Sequence, residues 1–559
     1  MKKRSKVADK KQNTVEKFLE ILKFERSDIS AIYFYSILMG LVQLSLPLGI
    51  QSIISFVMGG AISTSLVILV IAVIVGVLVA GLLRVNQMKI IEKVQQQLFV
   101  RYSFQYAHAI PNLSLKEINN YYLPELVNRF FDTISLQKSI SKILLDIPTA
   151  TIQILFGLIL LSFYHPVFIF FGILLLAVLY LILRSTANRG MQTSIEESNY
   201  KYNVAGYLQE IARVIMTMKF SRSSFLHIAK TDEYVSGYLK ARTSHFKILV
   251  FQYWSLIWFK LFIVGAMLVI GAFLLVDQQL NIGQFIAAEM VILIVIDSVE
   301  KLIVNLDQVY DVLTSVEKLT KVTDKPKEEE GSAMLGKSGT GVSIFASALS
   351  FGYTPEKKIL HNISMSVLPG EKACIMGKDN SGKSTLLRLF SGVYQEFEGV
   401  LRINDTPIGN YNLQSLRANT GIMLNLQDIF HGTIRENICV GDVGIAQDKI
   451  DGLVKLFGLK SFVDSHREGY EYMLQPTGHH LSGKVIKKIL LIRALIHDPE
   501  LLLLEEPWQD LEQEYADNVK AYLLDRSRNK TVLVVTNDES FAKQCDRRYT
   551  LENGNIKIA

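Results

Sequence analysis

Lys372-Ala-Cys-Ile-Met376-Gly377-Lys378-Asp379-Asn380-Ser381-Gly382-Lys383-Ser384-Thr385-Leu386-Leu-Arg-Leu-Phe390 reads as a strand, a glycine-bounded loop and the opening of a helix. Residues 377–384 fit the pattern G-x-x-x-x-G-K-[ST]. The glycines let backbone N–H groups turn inward around phosphate, Lys383 brings positive charge to the β- and γ-oxygens, and Ser384 can ligate Mg²⁺. The helix that follows adds its N-terminal dipole. Gly377 through Thr385 is therefore the expected nucleotide cradle.

Around this loop, short β-rich runs (Val342–Phe345, Ala373–Met376, Leu501–Leu504, Val532–Val535) alternate with helical patterns. That alternation predicts an α/β domain with parallel strands over 340–559. The charged, Pro/Gly-marked stretch Lys325-Pro-Lys-Glu-Glu-Glu-Gly-Ser332 predicts a linker, placed at 311–339. Upstream of it lie six long apolar runs: Ile32–Val57, Ala61–Val85, Leu144–Tyr164, Val167–Leu183, Ile248–Val276 and Ile282–Ile303. Each is near the ~20 residues that a helix needs to cross ~30 Å of hydrocarbon. The first starts too deep in the chain, and is too long, for a cleaved signal peptide. The expected architecture is a six-helix transmembrane domain over 29–310, then a P-loop NTPase domain. Residues 1–28 form a cytoplasmic segment whose Thr14–Phe24 stretch repeats apolar positions at helical spacing, as a surface helix at the inner face of a membrane would.

Composition agrees with a membrane protein. Of 559 residues 49% are hydrophobic and 20% charged, with a mean hydropathy of +0.26. The 59 Lys+Arg against 53 Asp+Glu leave +6, too small an excess to argue for nucleic acid. Three cysteines, Cys374, Cys439 and Cys545, provide neither a disulfide framework nor a zinc spacing. Lys and Arg crowd the start (Met1-Lys-Lys-Arg-Ser-Lys6) and the long connections 86–143 and 187–246, and are missing from the short turns at Gly59-Gly60, His165-Pro166 and Asp277–Leu280. The positive-inside rule then puts both termini and both long connections in the cytoplasm; the expected location is the cytoplasmic (inner) membrane, in contact with its lipid. The long connections carry few helix breakers, so spans two to five are expected to continue as helices beyond the bilayer.

Six spans followed by such a domain resemble a half-transporter of the ATP-binding cassette (ABC) exporter family. Tyr353 matches the aromatic that stacks on adenine, Leu481-Ser482-Gly483-Lys484-Val485 stands at the Leu-Ser-Gly-Gly-Gln signature, and Leu501-Leu-Leu-Leu-Glu505-Glu506-Pro507 matches the Walker B strand. Gly432-Thr-Ile-Arg-Glu-Asn-Ile438 matches the stretch after the Q-loop, and Glu125-Leu-Val-Asn-Arg-Phe-Phe-Asp132 the first coupling region. Asn281-Ile-Gly-Gln-Phe-Ile-Ala-Ala288 resembles the start of the sixth span in type I secretion exporters, which implies a polypeptide substrate and a periplasmic adaptor protein as a partner. A lipid or small-molecule exporter, an ATP-gated regulatory subunit and a purely structural subunit remain alternatives.

Several motif positions depart from the family's pattern. The Q-loop glutamine falls on Asn425, the Walker B aspartate on Glu505, the switch histidine on Asn537 and the D-loop aspartate on Glu512, while the signature carries Lys484 and Val485. Lys383, Ser384, Ser482, Gly483 and Glu506 are retained, and Glu506 stands where the attacking water would be polarised. The resemblance thus implies ATP and Mg²⁺ as cofactors, with Ser384, Glu505 and Asn425 around the metal and Glu506, Asn537 and Asn425 around the reaction. Glu505 is one methylene longer than aspartate, which shifts the octahedral geometry that Mg²⁺ demands. Asn537 can donate a hydrogen bond but carries no charge and does not titrate. Lys484 places a cation beside the phosphates bound by the opposite subunit. Loss of a transition-state donor costs about 10²-fold or more in rate, so tight ATP binding with slow turnover is expected at this chain's own Walker site. In a homodimer every site would combine all the departures; in a heterodimer each site loses part of its set, and a second, different half-transporter is the favoured partner.

Three ionisable residues stand within the spans. Lys260 and Asp297 each lie about 18 residues from Gln278-Gln279, at a depth of about 27 Å, and are expected to face each other as an ion pair. Glu289 lies deeper and is a candidate cavity-lining or substrate-contact residue. ATP-driven closure of two cassettes would reach the spans through coupling loops near 115–130 and 204–222 and drive alternating access.

Overall fold

The computed structural model describes residues 14–59, 64–118, 123–221, 225–354, 356–425, 427–478 and 480–558. The basic start, Gly60, and parts of both coupling loops (119–122 and 222) lie outside the described residues. Two compact units emerge. One contains Met1–Leu113 and Asn120–Lys325; the other contains Ser114–Asn119 and Pro326–Ala559.

The first unit is helical. Its elements are α1 (Thr14–Phe24), α2 (Arg26–Gln43), α3 (Ser45–Met58), α4 (Thr64–Ala109), then, after α5 (Leu115–Ile118) of the second unit, α6 (Leu123–Asn128), α7 (Asp132–Tyr164), α8 (Val167–Arg213), α9 (Ile215–Phe220), α10 (Leu226–Val276), α11 (Ile282–Val304) and α12 (Leu306–Thr323). Among the described residues, six helical stretches are long and apolar enough to cross a membrane: Arg26–Met58, Thr64–Asn112, Leu123–Tyr164, Val167–Arg213, Leu226–Val276 and Ile282–Thr323. Four helices run well past the ~20 residues of a bilayer crossing: α4 has 46 residues, α7 33, α8 47 and α10 51. Their excess length forms the expected extensions. Large apolar side chains of α4 such as Ile68, Ile74 and Leu78 are exposed, because a membrane helix has lipid rather than protein to cover them.

Two sequence expectations change. The first span is not one smooth helix: Pro47 lacks the N–H that would bond the Gln43 carbonyl, and the helix breaks between α2 and α3 at Leu44. The expected linker 311–339 is helical up to Thr323, because α12 carries an apolar stripe (Val312, Val316, Leu319, Val322) buried with Ile91, Val94, Leu136 and Ile140. Helix α1 docks into the same cluster through Ile21, and its Lys17 pairs with Asp324, while Val15, Leu19 and Phe24 stay exposed.

The second unit is α/β. Its strands are β1 (Ile344–Phe351), β2 (Leu360–Val367), β3 (Lys372–Met376), β4 (Glu398–Ile403), β5 (Thr406–Pro407), β6 (Thr420–Met423), β7 (Gly432–Thr433), β8 (Met473–Leu474), β9 (Leu501–Glu505), β10 (Thr531–Val535), β11 (Arg547–Glu552) and β12 (Asn555–Ile558). Its helices are α13 (Lys383–Phe390), α14 (Leu413–Ala418), α15 (Ile434–Cys439), α16 (Gln447–Leu456), α17 (Lys460–Asp464), α18 (Gly483–Leu495), α19 (Gln513–Leu524) and α20 (Glu539–Ala542). A six-stranded sheet runs β12-β11-β3-β10-β9-β6, parallel except for β12. An antiparallel sheet, β2-β1-β4-β5, covers one side. Strands β9 and β10 are buried on both faces, and their side chains alternate. Leu501, Leu503, Leu533 and Val535 join the core under the antiparallel sheet, while Leu502, Leu504, Val532 and Val534 join the core under α15–α19. Leu115 of α5 packs on the first of these cores, and Lys116 pairs with Glu396.

Candidate functional site

The carboxyl ends of β3, β9 and β10 lie side by side, with Ile375 opposite Val535 and Val535 opposite Glu505. In an open parallel sheet this is where ligands bind. The loop after β3 needs both of its glycines. Gly377 has φ +152° and a Cβ there would stand 2.2 Å from the Leu551 carbonyl oxygen; Gly382 has φ +103° and a Cβ would stand 2.8 Å from Leu360 Cδ2. Asn380, at φ +61°, takes the left-handed conformation that asparagine tolerates. The turn opens directly into α13, anchored by buried Leu386, Leu387, Leu389 and Phe390.

The side chains of the loop and of β9 meet. Lys383 Nζ donates to the Gly377 and Lys378 carbonyls at 2.5 and 2.7 Å. Ser384 Oγ donates directly to Glu505 Oε1, and Glu505 Oε2 accepts the Asn425 N–H at 3.1 Å. The extra methylene of Glu505 therefore carries its carboxylate onto the serine hydroxyl. Glu506 follows at φ +44°, its N–H donating to the Val535 carbonyl at 2.9 Å. Its Oε2 accepts from Thr536 Oγ1 at 2.9 Å. Asn537 Oδ1 accepts the Gly377 N–H at 3.0 Å, tying the switch position to the phosphate loop. The Ser384 hydroxyl and the Glu505 carboxylate meet in one corner with Asn425 beside them, an oxygen pair that suits a hard cation that keeps waters and nucleotide oxygens in its shell.

A cleft of about 1260 Å³ joins these groups, lined by Tyr353, Asp379–Thr385, Asn425, Glu505, Glu506 and Asn537. Tyr353 is held by its hydroxyl, which stands 3.1 Å from Thr385 Oγ1 and accepts from Arg388 at 3.0 Å. Its ring meets Phe351 and Tyr394 edge-on, at 5.2 and 5.4 Å. The cleft also contains Lys357, Lys358, His361 and Trp508, which the motif reading left aside. Thr536 was missed as well, although it adjoins Asn537 at the end of a buried strand.

Leu481–Val485 do not line this cleft. Ser482 Oγ accepts the Val485 N–H at 3.3 Å and so caps α18. Lys484 lies 3.6 Å from Glu512, which also holds Lys488 at 2.9 Å. The Lys488 hydrogen bond, with the charge of Lys484, keeps the Glu512 carboxyl below the usual range. Two departures read separately from the sequence, Lys484 and Glu512, are thus partners.

Asp538, next to Asn537, caps α20 by accepting the Ser540 and Phe541 N–H groups at 2.9 and 3.1 Å, and pairs with Lys520 at 2.6 Å. Burial opposes ionisation, but Lys520 and these donors outweigh it and hold the carboxyl far below its ordinary value. A depressed acid stabilises the fold above the unfolded pKa of about 3.9 and loses that stabilisation as pH falls through the folded value. Asp538→Ala is expected to cost about 1–2 kcal/mol. Asp538→Asn should keep the cap and flatten the acid limb below about pH 4. Unfolding followed by Trp508, which packs on Phe541 at 4.5 Å, measures both.

In the spans, Lys260 lies 3.8 Å from Asp297 and 3.1 Å from Glu300. The expected pair exists, but the hydrogen-bonded partner is Glu300, one helical turn further along α11. Charge reversal at Lys260 should lower the yield of folded protein, and Lys260→Glu with Glu300→Lys should restore it. Lys260→Glu with Asp297→Lys should restore less. Glu289 is half-buried on α11. It does not line the cavity of about 400 Å³ between α2, α3, α4, α7 and α11, which Asp297 does line.

Comparison with known proteins adds the family. The ABC transporter family matches residues 360–509, and the ABC transporter transmembrane region matches residues 29–299. The leukotoxin export ATP-binding protein of Aggregatibacter actinomycetemcomitans is 30% identical over 288 residues, 51% of this chain and 41% of that one. The cyclolysin secretion/processing ATP-binding protein of Bordetella pertussis is 27% identical over 326 residues, 58% of this chain and 46% of that one. The matches thus span less than half the length of these relatives. A bacterial Atm1-family ABC exporter solved with ATP bound shares the fold, with a TM-score of 0.84 at 18% identity over 95% of this chain and 94% of that one. Matched in both its membrane helices and its nucleotide-binding cassette, the chain belongs to the ABC transporter family.

Proposed function

We propose that this chain is one half of an exporter that moves a polypeptide out of the cytoplasm across the inner membrane, with both termini cytoplasmic. The observation that carries this reading is the convergence of Lys383, Ser384, Glu505 and Glu506 on one cleft in a chain that also has six membrane-length helices. The signature residues lie outside that cleft, so a second chain must bring its own signature to complete the site. The export and secretion roles named for the leukotoxin and cyclolysin relatives support an export role here, and the likeness of Asn281–Ala288 to the sixth span of type I secretion exporters supports a polypeptide substrate and an adaptor partner.

When bound, MgATP supplies the driving free energy. Lys383 and the α13 N-terminus hold its phosphates, Tyr353 stacks on its base, and Glu506 orients the water. Because Glu505 is engaged by Ser384 and Asn537 cannot titrate, turnover at this site is slow, and a different half-transporter with an intact set is the partner. Purification alone and with candidate partners, followed by ATPase and vesicle transport assays, tests this. The chain alone should turn over ATP slowly, and the hetero-assembly at least about tenfold faster. In the hetero-assembly Glu506→Gln should lower turnover less than the same change at the partner's corresponding glutamate. Brisk ATP turnover by a stable homodimer would refute the heterodimer reading.

A further inference from the structure

The cavity between α2, α3, α4, α7 and α11 has a local origin. Helices α3 and α4 touch where Gly49 faces Val73 and Gly76 faces Ser45. A Cβ on those glycines would fall 2.2 Å from Val73 Cγ2 and 2.6 Å from Ser45 Oγ. Such small-residue contacts are how membrane helices approach closely. Beyond this contact the chain breaks at Leu44, and Gly81 presents no side chain; a Cβ there would meet nothing within 4 Å. The gap that remains is about 400 Å³, within the range of ligand pockets. Met39, Val42, Leu46, Val77 and Ile294 give it apolar walls.

Its charged residues sit at one level. Arg84 lies about 30 Å along α4 from Thr64, and Lys301 about 28 Å along α11 from Ile282. With a hydrocarbon core of about 30 Å, both side chains are at headgroup depth, in the leaflet next to the helical extensions. Neither has a hydrogen bond or ion pair from its side chain among the described residues. The third charge, Asp297, already faces Lys260. Counted over the lining itself, two cations against one carboxylate leave an excess of one positive charge. Gln153 donates to Gln43 Oε1, and its own Oε1 accepts from Ser298 Oγ at 2.8 Å, so the Gln153 amide is already engaged within the protein. The α4 side is open: Val77 is 57% exposed and Leu82 57%.

We propose that this cavity binds one anionic phospholipid, its phosphodiester between Arg84 and Lys301 and the start of an acyl chain along Val77 and Ile294. One negative charge on an amphipath matches the excess charge, the depth and the apolar walls together. The site requires that the six helices span a bilayer, and is independent of the rate of ATP turnover.

The test uses the full chain in its assembled form, in detergent and stripped of lipid, titrated with dioleoylphosphatidylglycerol, dioleoylphosphatidylcholine or inorganic phosphate and read by native mass spectrometry. Phosphatidylglycerol should occupy one site per chain at least about tenfold more tightly than phosphatidylcholine. Millimolar phosphate should not displace it. Arg84→Gln with Lys301→Gln should erase the preference. Gly81→Phe, which builds into open space, should reduce occupancy with the melting temperature of the lipid-free protein unchanged. Equal binding of the two lipids, undiminished binding in both variants, or displacement by phosphate alone would overturn the proposal. The last outcome would mark a free-anion site, and failure of phosphatidylglycerol to bind the intact assembly would mark a face covered by the second chain.

Discussion

Lys383→Ala is expected to weaken MgATP binding at this chain's own Walker site at least about a hundredfold. The ammonium stands at the mouth of the phosphate loop, where it donates to the Gly377 and Lys378 carbonyls. In the alanine variant the polyphosphate would keep only backbone N–H groups and the helix dipole, and those do not replace a charge-assisted hydrogen bond. Alanine is the best helix former, and Lys383 is the first residue of α13, so the cassette should fold normally. Nucleotide binding to the assembled transporter, measured beside the melting temperature without nucleotide, separates the two effects. Unchanged affinity at this site would remove the phosphate-cradle assignment.

Asn537→His combined with Glu505→Asp should raise ATP turnover at this site at least about tenfold, the reverse of losing a transition-state donor. Asn537 already reaches the Gly377 N–H at 3.0 Å, so the switch position is close enough to the phosphate loop for an imidazole to act there. What the asparagine lacks is a charge. Shortening Glu505 by one methylene should release Ser384 Oγ from the direct contact and make room for an octahedral metal shell. The readout is steady-state ATP hydrolysis by the reconstituted assembly, with Glu506→Gln added to show that the gain comes from this site. If turnover stays flat while ATP still binds, these departures do not limit hydrolysis.

Motif reading found the cradle because a phosphate loop is a local object. Its two glycines, lysine and serine stand within a few residues, and the backbone torsions they permit do not depend on distant parts of the chain. The spans were legible for a similar reason, since a hydrocarbon layer imposes a length and an apolar composition on every crossing. Glu300 was less legible. A depth estimate locates a residue along a helix, and Asp297 and Glu300, one turn apart, satisfy it about equally; rotation about the axis decides between them. Thr536 and Lys520 left no pattern, because their roles rest on contacts between β9, β10, α19 and α20.

The sequence by itself determined the phosphate loop, the six apolar crossings and the places where the motifs depart from their family, since each is a matter of residue type at short spacing. Tertiary structure alone decided what those departures touch. Glu505 meets Ser384, Asn537 meets the N–H of Gly377, and Lys484 meets Glu512, while the break before Pro47 leaves a cavity beside Arg84 and Lys301. Side-chain reach and the relative placement of sequence-distant elements are set by packing, which no local pattern encodes.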